Sequence, residues 1–248
     1  MVAHDGRMGA RRWLVASSVA LLSATVAGPA SATKSTVEQE VTRSLKQLSA
    51  LHVTTSPPAA RYQRDYFGAA WADVDGNHCR TRDDILARDL TRISRRGACT
   101  VMSGTLADPY TGRREAFSKT RATAIQIDHL VPLSLAWRSG ASTWPAGKLG
   151  TFANDPLNLL AVDGAVNEAK GDSGPSAWLP PYGRYRCTYV MRFVRVAFLY
   201  GVTIANADRV AVKRVLRSCA VVYGHPTKLL ALSPGLWSRA ASFVHAAP

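Results

Sequence analysis

The residues of this chain best suited to catalysis begin with an adjacent pair, Asp128 and His129, which ends the apolar run Ile125-Gln126-Ile127. Histidine has an ordinary pKa close to neutral pH, so His129 can accept a proton from an attacking water. Adjacent residues on a strand point to opposite faces. The pair can therefore serve one site only if the strand ends or twists here, and the nearby Pro132 is consistent with an ending.

Three further polar residues follow at short intervals, Asn158, Asn167 and Lys170. Asn158 interrupts an apolar run, where an unbonded buried amide costs about 1–3 kcal/mol, so we expect its side chain to be hydrogen-bonded. Asn167 and Lys170 are three residues apart on a predicted helix and share a face. Phosphodiester hydrolysis requires an activated water, a cation on the non-bridging oxygens and assistance to the leaving 3′ oxygen. The five residues together predict a metal-dependent site of that kind.

The elements that must position these residues include both strands and helices, and we expect an α+β fold. Apolar periodicity, caps and turn residues predict the following elements in chain order: a helix at 82–94 capped at Thr81, a strand at 99–106, a turn at 108–112, a strand at 125–128, a helix at 133–138, a strand at 157–162, a helix from 164 to 171, and helices at about 188–200 and 205–219.

The N-terminal region has the pattern of a secretory signal peptide. Basic residues precede an uncharged run, and Ala30-Ser31-Ala32 is a small-residue cleavage site, so residues 1–32 are predicted to be removed. The run is too short and too rich in Ala and Ser to span a bilayer, so we expect a secreted protein without stable membrane association. Whether export uses the general or the twin-arginine route stays open.

The exported chain is predicted to have three parts. Residues 33–60 comprise an amphipathic helix, which the capping-box spacing at Ser35 would start, and a linker. Residues 61–223 form the main domain, and residues 224–248 form a tail without periodicity. The 248 residues suffice for one core, and we expect a monomer.

The chain is strongly basic, with a formal net charge of +14. Residues 1–32 carry +2 of this charge, which leaves +12 on the exported chain. Such an excess favours a polyanionic partner and does not choose among nucleic acid, teichoic acid and anionic membranes. The basic run Arg113, Arg114, Lys119 and Arg121 leads towards the strand that carries His129. It suits phosphate contacts that position a nucleic acid without reading its bases, and a solvated basic loop is the alternative.

Four cysteines lie in the exported part, and none has CxxC spacing, which argues against a zinc or redox motif. In a secreted protein an even number predicts two disulfides. Three pairings are open, and we favour the local one, Cys79–Cys99 with Cys187–Cys219.

Two segments upstream have both a structural and a functional interpretation. Four aromatic residues at 62–71 favour a cluster that seals the core over a platform for stacking bases. Asp73, Asp75, Asn77 and Asp84 are spaced like the ligands of a calcium loop. However, His78 stands where such a loop requires glycine, so a polar turn is favoured and calcium binding stays open.

The motif Asp128-His129-Leu-Val-Pro-Leu-Ser, a central Asn158, and Asn167-x-x-Lys170-Gly-Asp together resemble the ββα-metal motif of HNH nucleases. Residues 61–219 are similar, more closely, to secreted actinobacterial HNH proteins whose domain also occurs in GmrSD-type restriction enzymes. The resemblance extends to segments at 62–68, 71–75, 81–86, 103–112, 153–160, 178–181 and 185–187. It implies an HNH ββα-metal core embedded in a mainly helical, disulfide-stabilised domain.

The resemblance also implies a role for each residue. Asp128 and Asn167 would hold a divalent metal, His129 would deprotonate water, Asn158 would fix the loop that carries His129, and Lys170 would contact the phosphate or leaving group. Asn167 stands where the motif has its last histidine. An Asp/Asn oxygen site suits Mg²⁺, with Mn²⁺ as the alternative, better than Zn²⁺.

We therefore expect a secreted endonuclease that cleaves DNA, and in the broader case also RNA, with little sequence specificity. Two alternatives stay open: a non-catalytic polyanion-binding protein, and a hydrolase of another phosphodiester such as teichoic acid. The sequence does not identify an inhibitor protein, or distinguish a nutritional from an antagonistic role.

Overall fold

Helices and two small antiparallel sheets make up the chain in the computed structural model, which describes residues 29–54 and 61–222. The helices are α1 (Pro29–Ala50), α2 (Thr81–Asp89), α3 (Leu133–Arg138), α4 (Ala146–Asn154), α5 (Gly164–Lys170), α6 (Arg186–Tyr200) and α7 (Asn206–Val222). The strands are β1 (Leu90–Arg96), β2 (Thr100–Ala107), β3 (Arg114–Ser118), β4 (Ile125–His129) and β5 (Leu159–Asp163). The predicted α+β class is confirmed.

The two sheets are separate. Strands β1, β2 and β3 pair in that order, each antiparallel to its neighbour. Strands β4 and β5 form the second sheet, in which His129 lies opposite Leu159 and Asp128 opposite Leu160. Helix α5 follows β5 directly, since it begins at Gly164. A Cβ atom at this position would collide with the carbonyl oxygen of Thr123, so glycine lets the helix start against the chain that enters β4.

The β4–β5 sheet separates two hydrophobic cores, so its strands are buried on both faces. Alternate residues of β5 belong to different cores, Leu160 and Val162 to one and Leu159 and Ala161 to the other. The larger core is formed mainly by α1, α3, α4, α6 and α7. The smaller core also takes Ile125 and Ile127 of β4 and lies against α2 and the three-stranded sheet. Burial on both faces fixes the register, because a one-residue slip would move each side chain to the wrong core.

The N-terminal helix is part of the larger core. Val37, Val41, Leu48 and Leu51 are buried in the same cluster as the apolar residues of α6 and α7. After the helix, Val53 pairs with Ile204 in an isolated parallel bridge. This helix is therefore packed on the main domain and is not a loosely attached appendage. It also begins at Pro29, so the predicted start at Ser35 lies inside the helix.

Both predicted disulfides are confirmed. Cys79 pairs with Cys99 and joins the segment before α2 to the start of β2, and Cys187 pairs with Cys219 and joins α6 to α7. Among the described residues no cysteine is free.

One predicted helix ends earlier than expected, and two elements were not predicted. The helix from residue 82 ends at Asp89 instead of Ser94, because residues from Leu90 pair with β2 as strand β1. The basic run at 113–121 contains strand β3, and the segment between α3 and β5 contains helix α4. In all three cases pairing or packing with distant residues overrides a weak or ambiguous local pattern.

The predicted signal peptide lies outside the described residues except for positions 29–32, which belong to α1, and the predicted tail at 224–248 lies wholly outside them. Within the described part of the chain, no helix combines the length and apolar character needed to cross a bilayer.

Candidate active site

A cleft of about 330 Å³ opens at the end of β4, beside α5. It contains three of the five predicted catalytic and metal-binding residues, Asp128, His129 and Asn167. Other residues that line the cleft include Tyr62, Arg64, Gln126, Ser134, Glu168 and Asp172. The cleft is therefore the place where the predicted chemistry can occur.

His129 is held by one hydrogen bond, of 2.8 Å, between its Nε2 and the carbonyl oxygen of Ala153 at the end of α4. A carbonyl oxygen only accepts, so Nε2 carries the proton. The pKa of His129 is lowered from 6.5 to about 3, mainly by burial; the hydrogen bond to Ala153 opposes this shift, and the charges of Arg64 and Lys170 add to it. The ring is therefore neutral near pH 7, and Nδ1 is its unprotonated nitrogen.

Asn158 holds the chain immediately after His129. Its Oδ1 accepts from the backbone N–H of Val131 at 2.8 Å, and its Nδ2 donates to the carbonyl oxygen of Val131 at 3.2 Å. The N–H of Leu130 donates to the Asn158 carbonyl oxygen at 2.8 Å. The buried amide is thus satisfied, and β4 ends directly at His129, where the sequence requires an ending.

The segment that carries Asn158 is itself held by two arginines. Arg88 of α2 donates to the carbonyl oxygens of Pro156 and Leu159, at 2.7 and 2.8 Å. Arg192 of α6 donates to that of Leu157 at 2.8 Å. One arginine from α2 and one from α6 therefore hold the segment that leads into β5.

Asp128 lies under the cleft in a buried network. Its Oδ1 accepts from Nζ of Lys170 at 2.8 Å, and its Oδ2 accepts from the hydroxyl of Tyr110. The same Nζ donates to the carbonyl oxygen of His129 at 2.8 Å. Burial raises the pKa of Tyr110 well above its usual range, so this hydroxyl stays a donor. Lys170 is only 1% exposed, so in this arrangement it positions Asp128 and His129 and is not available for the expected phosphate contact.

Asn167 lies on α5, at the side of the cleft. Its Nδ2 donates to Oε1 of Gln126 at 2.8 Å, and Nε2 of Gln126 donates to Oε1 of Glu168 at 2.8 Å. These contacts turn the amide nitrogen of Asn167 towards β4. The amide oxygen of Asn167 makes no hydrogen bond within the described residues. Of the two expected metal ligands, Asp128 and Asn167, it is therefore Asn167 that has an oxygen available.

The donor set does not fit a divalent cation in this arrangement. Asp128, the charged ligand of the expected pair, has both oxygens hydrogen-bonded, and the ammonium of Lys170 already neutralises it. Among the described residues, no three His, Cys, Asp or Glu side chains form a group that could hold a metal ion. The expected ligation by Asp128 therefore requires Lys170 to leave it.

The predicted nucleic-acid-binding residues lie away from the cleft. Arg113 and Arg114 are exposed at the start of the edge strand β3, and Lys119 and Arg121 follow in a 3-10 turn, Lys119 half-buried. None of the four lines the cleft. The basic residue that does line it, Arg64, was not predicted, because its neighbours suggested only an aromatic cluster.

The structure also describes the two upstream segments, the aromatic residues at 62–71 and the acidic segment that begins at Asp73. Phe67 is fully buried, whereas Tyr66 is exposed and stacks on Trp137 at 4.8 Å between ring centroids, so the aromatic cluster belongs only partly to the core. In the acidic segment, Asp73 accepts backbone N–H groups of Gly76, Asn77 and His78. These bonds form a polar turn before Cys79.

Comparison with known proteins decides the family. Residues 80–209 match the family described as GmrSD restriction endonucleases, C-terminal domain. The chain belongs to this family. It is also 40% identical, over 174 residues, to an uncharacterized secreted protein of Arthroderma benhamiae, a match that covers 69% of this chain and 82% of that protein. No solved structure was found to match.

Membership of the GmrSD C-terminal domain family confirms the resemblance seen in the sequence. It indicates a nuclease-type activity, and therefore a hydrolase with a nucleic acid substrate. The secreted relative and the two disulfides agree with an extracellular protein, so the protein is secreted, as predicted.

The buried ion pair generates a prediction on stability. Lys170→Met should lower the free energy of unfolding by about 3–5 kcal/mol, because it leaves the carboxylate of Asp128 buried without its cation. Asp128→Asn in the same background should recover part of this loss. Urea denaturation of the wild type, both single variants and the double variant measures the coupling. If the double variant loses the full sum of the two single losses, the pair is not coupled.

Proposed function

We propose that this protein is a secreted endonuclease that hydrolyses phosphodiester bonds of DNA with little sequence specificity. The proposal is carried by His129. Its neutral ring is fixed at the wall of an open cleft, and Nδ1 is left as a proton acceptor.

The chemistry assigned to His129 is general-base catalysis. Nδ1 takes a proton from a water in the cleft, the resulting hydroxide attacks phosphorus, and the bond from phosphorus to the 3′ oxygen breaks. The products are a phosphate monoester and a hydroxyl, whose proton comes from solvent. The hydrogen bond to Ala153 fixes the tautomer and stabilises the imidazolium that forms.

The supporting elements have the order of an HNH unit, two antiparallel strands followed by a helix. We propose that β4, β5 and α5 correspond to the ββα-metal core that the sequence motif implies. In this assignment Asn158 fixes the loop after the base, and Lys170 positions Asp128 and the His129 backbone.

A divalent cation, Mg²⁺ or Mn²⁺, stays part of the proposal on the resemblance alone. Asp128 is engaged by Lys170 and Tyr110, so no step is assigned to a metal here. Low specificity follows from the exposed basic side chains of β3, such as Arg114, which suit contacts with phosphates rather than with base edges.

Replacing the base tests the proposal directly. His129→Ala should reduce plasmid cleavage by about 10²–10⁴-fold, because it removes the proposed general base. Binding of DNA, measured by fluorescence anisotropy, should be retained. His52→Ala, which removes an exposed histidine far along the chain, is the matched control and should cleave normally. Full cleavage by His129→Ala would refute the assignment.

Removing divalent cations tests the metal. We expect a chelator to stop digestion of plasmid and RNA by the wild-type protein, and added Mg²⁺ or Mn²⁺ to restore it. Digestion that continues in chelator would agree with the engaged state of Asp128 and remove the metal from the proposal. Nucleic acids left intact in every condition would refute the nuclease. Turnover of a glycerol-phosphate polymer would then identify a teichoic acid hydrolase, and its absence would favour a polyanion-binding protein.

The pKa of His129 predicts the pH dependence. Because the folded protein keeps the ring neutral down to about 3, kcat/KM should show no acidic loss with an ordinary histidine midpoint between about pH 5 and about pH 7. The same shift predicts stability that is complete above pH 6.5 and is lost as the pH falls towards 3, since only the unfolded chain takes up the proton in this range. A one-proton fall in kcat/KM centred near 6.5 would contradict this.

A further inference from the structure

Arg64 lines the cleft that contains His129, although it lies outside residues 80–209, the part of the chain that matches the family. Its charge is close enough to His129 to lower the pKa of that ring. A cation held beside the proposed base is the kind of group that phosphodiester hydrolysis needs.

The guanidinium of Arg64 has no protein partner within the described residues. Its Nη1 is buried and makes no hydrogen bond. Other arginines also have a buried unbonded nitrogen, but each of them is anchored elsewhere. Arg192, for example, donates through Nη2 to the carbonyl oxygen of Leu157. Arg64 makes no hydrogen bond or ion pair from any of its nitrogens to a described residue. A buried donor without an acceptor among the described residues needs one from elsewhere, and an anion bound in the cleft can supply it.

The acidic residues of the cleft do not compensate Arg64, because each has another partner. Asp128 is bound by Lys170 and Tyr110, and Asp172 is bound by Arg138 at 2.6 Å. Glu168 accepts from Gln126. Arg64 is thus the one cation lining the cleft, among the described residues, that is left for an incoming anion.

The backbone that carries Arg64 is held firmly. A 3-10 turn at Arg64–Phe67 places Phe67 in the larger core, where its ring packs 6.2 Å from those of Trp137 and Phe152. The ring of Tyr66 also stacks against Trp137. The guanidinium therefore starts from an anchored backbone, which limits the entropy lost on binding.

We propose that Arg64 is a catalytic residue that binds a non-bridging oxygen of the phosphate to be cleaved, next to His129, and stabilises the negative charge that develops on it. The planar guanidinium suits this task, since it can offer two donors to one phosphate group. The inference rests on the proposed nuclease function. Arg64 would place a positive charge of the chain itself at the phosphate.

The test compares Arg64→Gln with Arg61→Gln, an equal loss of charge at an exposed arginine three residues away that does not line the cleft. Arg64→Gln should lower kcat/KM on an oligonucleotide by about 10²–10³-fold. Arg61→Gln should change it by no more than about twofold. Arg64→Lys should lose about tenfold, because an ammonium keeps the charge without the paired donors.

Binding is measured separately in the His129→Ala background, so that no cleavage occurs. Anisotropy with the same oligonucleotide should show weaker binding when Arg64→Gln is added and no change when Arg61→Gln is added. Thermal melting checks that each variant folds, and if Arg64→Gln does not fold, Arg64→Lys decides. Wild-type kcat/KM in a folded Arg64→Gln, or in Arg64→Lys if that variant decides, would overturn the role of Arg64 alone. An inactive wild-type protein would overturn the nuclease and the inference together.

Discussion

The buried ion pair between Asp128 and Lys170 connects the two halves of the candidate site. Lys170 ends α5, Asp128 lies near the end of β4, and the same ammonium also binds the carbonyl oxygen of His129. An ion pair removed from water stabilises a structure only when its remaining hydrogen bonds are satisfied, and Tyr110 satisfies the second oxygen of Asp128. The position of α5, and with it that of Asn167, therefore depends on this contact.

The adjacent side chains of Asp128 and His129 have different partners at the end of β4. The carboxylate faces α5 and belongs to the support of the site, whereas the imidazole is at the wall of the cleft and bonds to Ala153 of α4. The alternation of a strand thus separates the residue that positions from the residue that reacts. A motif of adjacent residues does not require both of them to contact the substrate.

Much of the site was predictable because its signals are local. The ending of β4, the helix at 133–138 and the bonded state of Asn158 follow from spacing and burial, whereas the cysteine pairing was one of three open alternatives. The partner of Lys170 was not predictable, because it depends on which face of α5 lies on β4. Arg64 was missed for a similar reason. Its neighbours Tyr66 and Phe67 gave a plausible structural explanation of the segment, and only the folded chain brings it beside His129.

The pairing of β4 with β5 brings together residues that are far apart in the chain, such as Ile125 and Asp163. Closing the loop between β4 and β5 costs chain entropy, which the contacts of β5, α5 and the cleft residues must offset. The cysteine pairs that join α6 to α7 and the start of β2 to the turn before α2 need an oxidising compartment. Because cross-links reduce the conformational entropy of the unfolded chain, the fold reaches its full stability only in such a compartment.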